Sequence, residues 1–238
     1  MQHLSGKTGN FAHGFSFIID MSAPQSLTEF RHELANSLSH GLGLLFGIIS
    51  MPILIAMASV NGNTAGLVGA SIFGFSYLMV YTFSTLYHGS TLYQSKYVNR
   101  IKNFMQMMDH ISIYFLIAGT YTPFILIYFL NPMGITLLSI LWGLTAIGVV
   151  YKIFFTGKYE WFSLLLYLGM GWMLVFFAEP FYTELPTATF VMVAVGGVLY
   201  TLGVIFFVWE RLRYNHAIWH IFVLAASICH YVAVLLSV

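Results

Sequence analysis

The sequence predicts an all-α membrane protein of seven transmembrane helices, with its N-terminus in the cytoplasm and its C-terminus outside. Of its 238 residues, 59% are apolar and only 7% are charged, against about 25% charged residues in a soluble protein. Apolar stretches of about 20 residues follow one another with short interruptions, as in polytopic helical membrane proteins. Polar and apolar residues do not alternate as they would in a membrane β-barrel.

The expected helices follow from the apolar stretches and the turn residues between them. Ser26-Leu27-Thr28-Glu29 has the spacing of a capping box, so a helix is predicted to begin near Leu27, after a polar cytoplasmic tail over residues 1–25. The tail has no apolar core of signal-peptide length, so the first span is expected to direct insertion. Residues 89–108 are predicted to form an inner loop with a short amphipathic helix over Tyr97–Met107. Within the transmembrane domain, 26–238, the spans are predicted at about 38–60, 65–87, 109–130, 135–151, 161–178, 187–209 and 216–238.

Positive charge is confined to one side of this predicted bundle. When the spans are counted alternately across a membrane, all nine Lys and Arg residues fall on the side of the N-terminus, and the loops of the other side contain Glu179 and Glu184 instead. By the positive-inside rule, the basic side is the cytoplasm. We therefore expect a multi-pass protein of the cell membrane, which in bacteria is the inner membrane. The nine residues are Lys7, Arg31, Lys96, Arg100, Lys102, Lys152, Lys158, Arg211 and Arg213.

Composition also excludes several kinds of partner and cofactor. There is no basic run with interleaved aromatic residues, so nucleic-acid binding is not expected. Cys229 is the single cysteine, which rules out an intramolecular disulfide and a thiolate zinc site. Small-residue faces on the spans suit packing within a chain or between chains, so the sequence allows a homo-oligomer.

A group of polar residues at the cytoplasmic ends of three spans points to chemistry. His216 and His220 are four residues apart and share one helix face. His88 ends the second span, Asp109 opens the third, and Ser84 lies one turn deeper than His88. Each of these residues alone could be a satisfied polar group, but polar side chains are costly inside spans and mark functional sites. Because these residues lie at a common depth in the membrane, we predict that they form one functional site.

Three histidines with one open position are typical of a catalytic zinc rather than a structural one, which has a fourth protein ligand. Zinc lowers the pKa of water toward neutrality and so supplies a nucleophile. Asp109 is then expected to act as a general base on that water, or to bind the metal weakly. Ser84 is expected to donate a hydrogen bond to a developing oxyanion. His110 points about 100° away from Asp109 on the helix and is expected at the membrane interface.

Glu33, Asn36 and His40 follow one another on a single stripe that enters the first span. Two interpretations remain open for this stripe. It is either a polar boundary at the lipid headgroups, or a rim and second shell that supports the metal ligands by hydrogen bonds.

Five motifs together resemble a known family. They are Glu33-x-x-Asn36-x-x-x-His40-Gly41, Ser84-x-x-x-His88, Asp109-His110, Gly119-Thr120-Tyr121-Thr122-Pro123 and His216-x-x-x-His220. With these motifs the chain, over nearly all of residues 30–238, resembles the haemolysin III family, the bacterial branch of the progestin and adipoQ receptor (PAQR) family. That family belongs to a proposed superfamily of seven-span metal-dependent hydrolases that includes alkaline ceramidases.

The resemblance implies an intramembrane zinc held by His88, His216 and His220, with Asp109 on a water and Ser84 nearby. It also implies the same orientation of the termini as the loop charges do. Its eukaryotic receptor members are linked to ceramide hydrolysis, and the bacterial branch is named for a pore-forming lytic activity. The short tail before Glu29 departs from the extended cytoplasmic region of the receptor branch, which argues against hormone binding.

Three functions therefore remain in competition. The first is zinc-dependent hydrolysis of an amide or ester in a membrane lipid, which enters between the spans. The second is a pore-forming, haemolysin-like protein with a structural zinc, although the spans contain no charged ring of the kind that lines an ion path. The third is a regulator of membrane state that binds a lipid without turning it over.

Overall fold

The computed structural model describes residues 26–92, 96–176 and 178–238, so the predicted tail over residues 1–25 lies outside the described residues. All regular secondary structure in these ranges is helical, which confirms the all-α prediction. The helices are α1 (Leu27–Val60), α2 (Thr64–Thr91), α3 (Lys96–Tyr128), α4 (Pro132–Phe155), α5 (Glu160–Gly171), α6 (Met173–Phe176), α7 (Ala178–Glu184), α8 (Thr187–Val208) and α9 (Asn215–Leu235).

Side-chain caps explain where several helices begin. The predicted capping box is present at α1: Glu29 N donates to Ser26 Oγ (3.2 Å), and Ser26 N donates to Glu29 Oε2 (3.1 Å). Asn63 and Asn131 cap α2 and α4 by accepting hydrogen bonds from backbone N–H groups three residues later (2.9 and 3.0 Å). These contacts satisfy donors that a helix start leaves without partners.

Six of the described helices are long and apolar enough to cross a membrane, namely α1, α2, α3 from Ile101, α4, α8 and α9. The chain is therefore a polytopic helical membrane protein. The number seven and the orientation of the termini stay predictions.

The predicted fifth span, 161–178, is not one continuous helix. It is divided at Trp172 into α5 and the single turn α6, and Glu160–Phe176 is shorter than the other apolar helices. The Tyr121 hydroxyl on α3 bridges the break, because it donates to Gly171 O (2.7 Å) and accepts from Leu174 N (3.0 Å). A backbone break at membrane depth needs such partners, since lipid offers none.

The third span also differs from its prediction. We expected an inner helix over 97–107 and a separate span beginning at Asp109, but α3 runs through both without interruption. Residues 97–109 contain neither glycine nor proline, so nothing in the sequence stops the helix. Asp109 therefore lies well inside α3 rather than at its start. Beyond the fifth span, the predicted outer loop contains α7.

The helices alternate in direction, so that one end of the bundle collects the chemistry-bearing residues. We call it the site end, and define it by Glu33, His88, Lys152 and His216. At the opposite end, Asn61 Nδ2 of the turn after α1 donates to Val238 O (2.7 Å), and the Phe129 and Phe181 rings stack at 4.5 Å. Glu160 therefore lies at the site end, and Phe181 lies at the opposite end.

Helices α2 and α3 pack closely at Gly69, where an added Cβ would overlap the backbone of Pro123. We expect Gly69→Ala to lower the stability by about 1–3 kcal/mol, the usual cost of overpacking. Gly197→Ala on α8 is the matched control, because that position has no atom within 4 Å of an added Cβ. Thermal unfolding in detergent measures both variants. Equal midpoints for the two would contradict this close packing.

Candidate metal centre

The structure brings His88 from α2 together with His216 and His220 from α9. One ring nitrogen of each lies within 4.8 Å of the other two. The ring centroids are 5.1 Å apart for His88 and His216, 5.2 Å for His88 and His220, and 4.5 Å for His216 and His220. The four-residue spacing on α9 places its two rings on one face, and the antiparallel direction of α2 places His88 at the same level. We call these three residues the histidine cluster.

Glu33 on α1 sets the tautomer of His88. The His88 Nδ1 to Glu33 Oε2 distance is 2.7 Å, and the His88 side chain is 4% exposed against 27% for Glu33. An ionised carboxylate only accepts hydrogen bonds, so Nδ1 carries the hydrogen. In the neutral ring, Nε2 then presents its lone pair, as a metal ligand requires.

Two further groups on α1 set the tautomer of His220. Its Nδ1 lies 3.2 Å from Asn36 O and 3.0 Å from Ser39 Oγ, and Ser39 Oγ itself donates to Asn36 O (2.8 Å). A carbonyl oxygen only accepts, so Nδ1 is the donor and Nε2 is left with its lone pair. Sequence reasoning missed Ser39, because a serine that bonds to a carbonyl one turn earlier is common in any helix.

The Nε2 atoms of all three histidines are buried and have no hydrogen-bond partner within the described part of the chain. Leaving a buried polar atom unpaired costs about 1–3 kcal/mol. Three such atoms from three rings at one place could share one electron-poor ligand. A cation satisfies this condition.

Ser84 and Asp109 lie beside the histidine cluster. The Ser84 side chain is buried. The Asp109 carboxylate on α3 lies near enough to Ser84 to accept a hydrogen bond from its hydroxyl, and near enough to His88 to interact electrostatically with that ring. Among the described residues, the group of close metal-ligand atoms consists of the three histidines, so Asp109 stands next to the cluster rather than within it.

His40 on α1 reaches the cluster through its ring face. It is 2% exposed and stacks on His220 with centroids 3.5 Å apart and planes 24° apart. Its other neighbour is Tyr81, in an edge contact at 5.0 Å. Glu33, Asn36 and His40 therefore all face the histidine cluster, Asn36 through its backbone carbonyl.

A second polar cluster, made of His110, Lys152 and Glu160, also lies at the site end. The Lys152 side chain is 0% exposed; its Nζ lies 2.6 Å from Glu160 Oε2 and 3.0 Å from His110 Nδ1. We expected His110 at the membrane interface, and this stays a prediction; the structure places it at the site end against Lys152 and Glu160. His110 does point away from Asp109, but α4 and α5 occupy that side of α3 and present Lys152 and Glu160 to it. Lys152, which we counted only among the loop cations, belongs to α4 and is enclosed.

Comparison with known proteins agrees with these observations. The family described as haemolysin-III related matches residues 28–231. The chain is 41% identical to hemolysin-3 of Bacillus cereus over 213 residues, which cover 89% of this chain and 94% of that protein. It is 40% identical to the hemolysin-3 homolog of Bacillus subtilis (strain 168) over 205 residues, with 86% and 93% covered.

A human relative is more distant. The monocyte to macrophage differentiation factor of Homo sapiens is 30% identical over 166 residues, which cover 69% of this chain and 68% of that protein. No solved structure shows a significant match to the chain. The family match over most of the chain and the two Bacillus relatives confirm the resemblance that the motifs indicated. The chain belongs to the haemolysin-III-related family of membrane proteins.

Proposed function

We propose that this protein hydrolyses an amide or ester bond of a membrane lipid with the help of a zinc ion held by His88, His216 and His220. The observation that supports the proposal most is the convergence of three buried imidazole nitrogens that lack partners among the described residues. Imidazole nitrogen is a preferred zinc ligand, and three such ligands leave one position open for chemistry.

The surroundings of the cluster also fit a zinc ion. Glu33 and the carbonyl of Asn36 hold two of the ligand rings in the tautomer that exposes Nε2, which is the usual support for a zinc-bound histidine. The carboxylates of Glu33 and Asp109 lie beside the three rings, and a divalent cation held by the rings would be attracted to both. Lys152 lies near enough to Asp109 to act on it as well, but it makes its close ion pair with Glu160.

The remaining residues have roles in hydrolysis that their positions support. Zinc, when bound, polarises a carbonyl group and makes water a nucleophile near neutral pH. Asp109 takes the proton from the attacking water and returns it to the leaving group, as a general base and then a general acid. Ser84 lies beside Asp109, and its hydroxyl rotates to donate a hydrogen bond to the carbonyl oxygen as negative charge develops there.

The position of the cluster favours a lipid substrate. His88 lies in the last turn of α2 and His216 in the first turn of α9. The cluster is therefore close to the ends of helices that are long enough to span the hydrocarbon core. The linkages between lipid headgroups and acyl chains lie at that level of a bilayer. A soluble substrate would not need a site among apolar helices.

A second candidate function is lysis or pore formation with a structural metal, and the name of the Bacillus cereus relative, hemolysin-3, favours it. Conductance of purified, metal-free protein in liposomes would support this candidate over hydrolysis. A lipid-binding regulator without turnover would show neither activity.

The metal content of detergent-purified protein, prepared without chelator, tests the foundation of the proposal. We expect about one zinc per chain, and we expect it to be lost in His216→Ala and in His220→Ala. His230→Ala is the matched control, because His230 is a buried histidine of the same helix whose Nε2 lies 3.2 Å from Val193 O, away from the cluster. Absence of metal in the wild type, or equal metal in all four proteins, would overturn the proposal.

A further inference from the structure

His40 is a buried histidine that is close to the histidine cluster but does not belong to its set of ligands. Its ring lies flat against His220 at 3.5 Å, whereas the cluster of close ligand atoms consists of His88, His216 and His220. Neither His40 nitrogen has a hydrogen-bond partner in residues 26–92, 96–176 or 178–238. The ring face is therefore the part of His40 that the surrounding structure engages.

We propose that His40 is a positioning residue, which holds the His220 ring in the orientation that metal binding requires and so raises the affinity of the site for metal. The inference rests on the proposed metal site. It assigns a role to a residue that supplies no ligand atom.

The torsion geometry of histidine explains why such support is needed. The rotation of an imidazole ring about its bond to Cβ has broad, roughly two-fold minima, so that rotamer preference alone does not fix the ring plane. The contacts of His220 Nδ1 with Asn36 O and Ser39 Oγ hold one edge of the ring. A flat neighbour on its face restricts the swing that these edge contacts leave free.

The electronic properties of the stacked His40 ring also favour metal binding by His220. A cation at Nε2 draws electron density out of the His220 ring. The face of a neutral aromatic ring is electron-rich, so it attracts a ring that has become more positive. The stack is therefore stronger with metal than without it, and by linkage it strengthens metal binding.

The packing behind His40 holds it against His220. Tyr81 meets the His40 ring with its edge at 5.0 Å, and its hydroxyl donates to Ser227 Oγ on α9 (3.0 Å). Tyr81 can lie this close to α1 because residue 43 is glycine, where an added Cβ would overlap the tyrosine ring. His40 is thus enclosed between a fixed tyrosine and His220.

Three substitutions distinguish the contribution of the aromatic ring of His40 from that of its nitrogen atoms. His40→Phe keeps an aromatic face without nitrogens, His40→Leu keeps bulk without a ring, and His40→Gln keeps hydrogen-bonding groups without a ring. His230→Leu is the matched control for the loss of a buried histidine elsewhere on the bundle. Zinc affinity is measured by competition with a chromophoric chelator in detergent, and the absorption spectrum of the Co²⁺-loaded protein reports the coordination geometry.

We expect His40→Leu and His40→Gln to bind zinc at least about 10-fold more weakly, the usual effect of losing a group that orients a ligand. His40→Phe and His230→Leu are expected to stay close to the wild type in affinity and in Co²⁺ spectrum. Thermal unfolding of the metal-free proteins separates weaker metal binding from a loss of folding. If His40→Phe does not fold, the zinc affinities of His40→Leu and His40→Gln, compared with that of His230→Leu, still test whether His40 supports metal binding.

Wild-type zinc affinity in His40→Leu or His40→Gln would overturn the inference and leave the metal site intact. A folded His40→Phe that binds as weakly as His40→Gln would also overturn it, because the nitrogens would then be what matters. A wild-type protein without zinc affinity would refute the proposed metal site, and the role of His40 with it.

Discussion

Replacing Asp109 with asparagine is expected to leave zinc bound and to lower hydrolysis by about 10²–10⁴-fold, the usual contribution of a general acid–base residue. The amide keeps the size of the side chain but cannot accept and return a proton. Metal binding should persist because the close ligand atoms come from the three histidines. The measurement is metal content together with turnover of whichever lipid amide or ester the zinc-loaded wild type cleaves in a defined panel.

Ser84→Ala is the companion variant for this experiment. It removes the proposed oxyanion donor, and the loss of one such donor lowers turnover by about 10²–10³-fold. An Asp109→Asn protein that keeps its metal and retains full turnover would refute the role of Asp109. A wild type that binds zinc yet cleaves no lipid in the panel would favour the pore or regulatory function.

Glu160→Gln is expected to destabilise the protein by about 3 kcal/mol, because it leaves the Lys152 ammonium buried without its counter-charge. The Lys152 side chain is 0% exposed and that of Glu160 is 38% exposed. The expected loss of stability is therefore at the low end of the range for a broken buried ion pair, because water can approach the Glu160 carboxylate. Lys152→Met should cost less, because the carboxylate it leaves behind is partly solvated.

The double variant Lys152→Met/Glu160→Gln removes both charges and is expected to be close to the wild type in stability. Unfolding in detergent compares the four proteins, and metal content should stay the same in all of them because the pair is separate from the histidine cluster. A double variant that is as unstable as Glu160→Gln alone would show that the pair does not act through its charges.

The sequence was sufficient to predict the histidine cluster because its geometry depends on simple periodicities. Spacing of four on one helix fixes the relation of His216 to His220. The alternation of spans then places His88 at the same end of the bundle. The predicted depth of the Glu33 stripe follows from the same alternation. None of these inferences needs the precise ends of the helices.

The features that the sequence could not predict are contacts that depend on which helices are neighbours. The pairing of Lys152 with His110 requires α4 to lie against α3, and periodicity within one helix contains no such information. The predicted fourth span, 135–151, also ended one residue before Lys152, so we counted that lysine among the loop cations. The break at Trp172 was hidden in a continuous apolar stretch, and the Tyr121 hydroxyl that bonds to both sides of it comes from another helix.

The contact between Asn36 and His220 joins residues 184 positions apart in the chain, and so connects α1 to α9. During synthesis, α1 enters the membrane long before α9 leaves the ribosome. The proposed metal site can therefore form only after α9 has entered the membrane and packed against α1. A ligand that binds the finished fold alone stabilises it by mass action. Zinc availability would then affect how much of the newly made protein escapes membrane proteolysis, apart from any effect on catalysis.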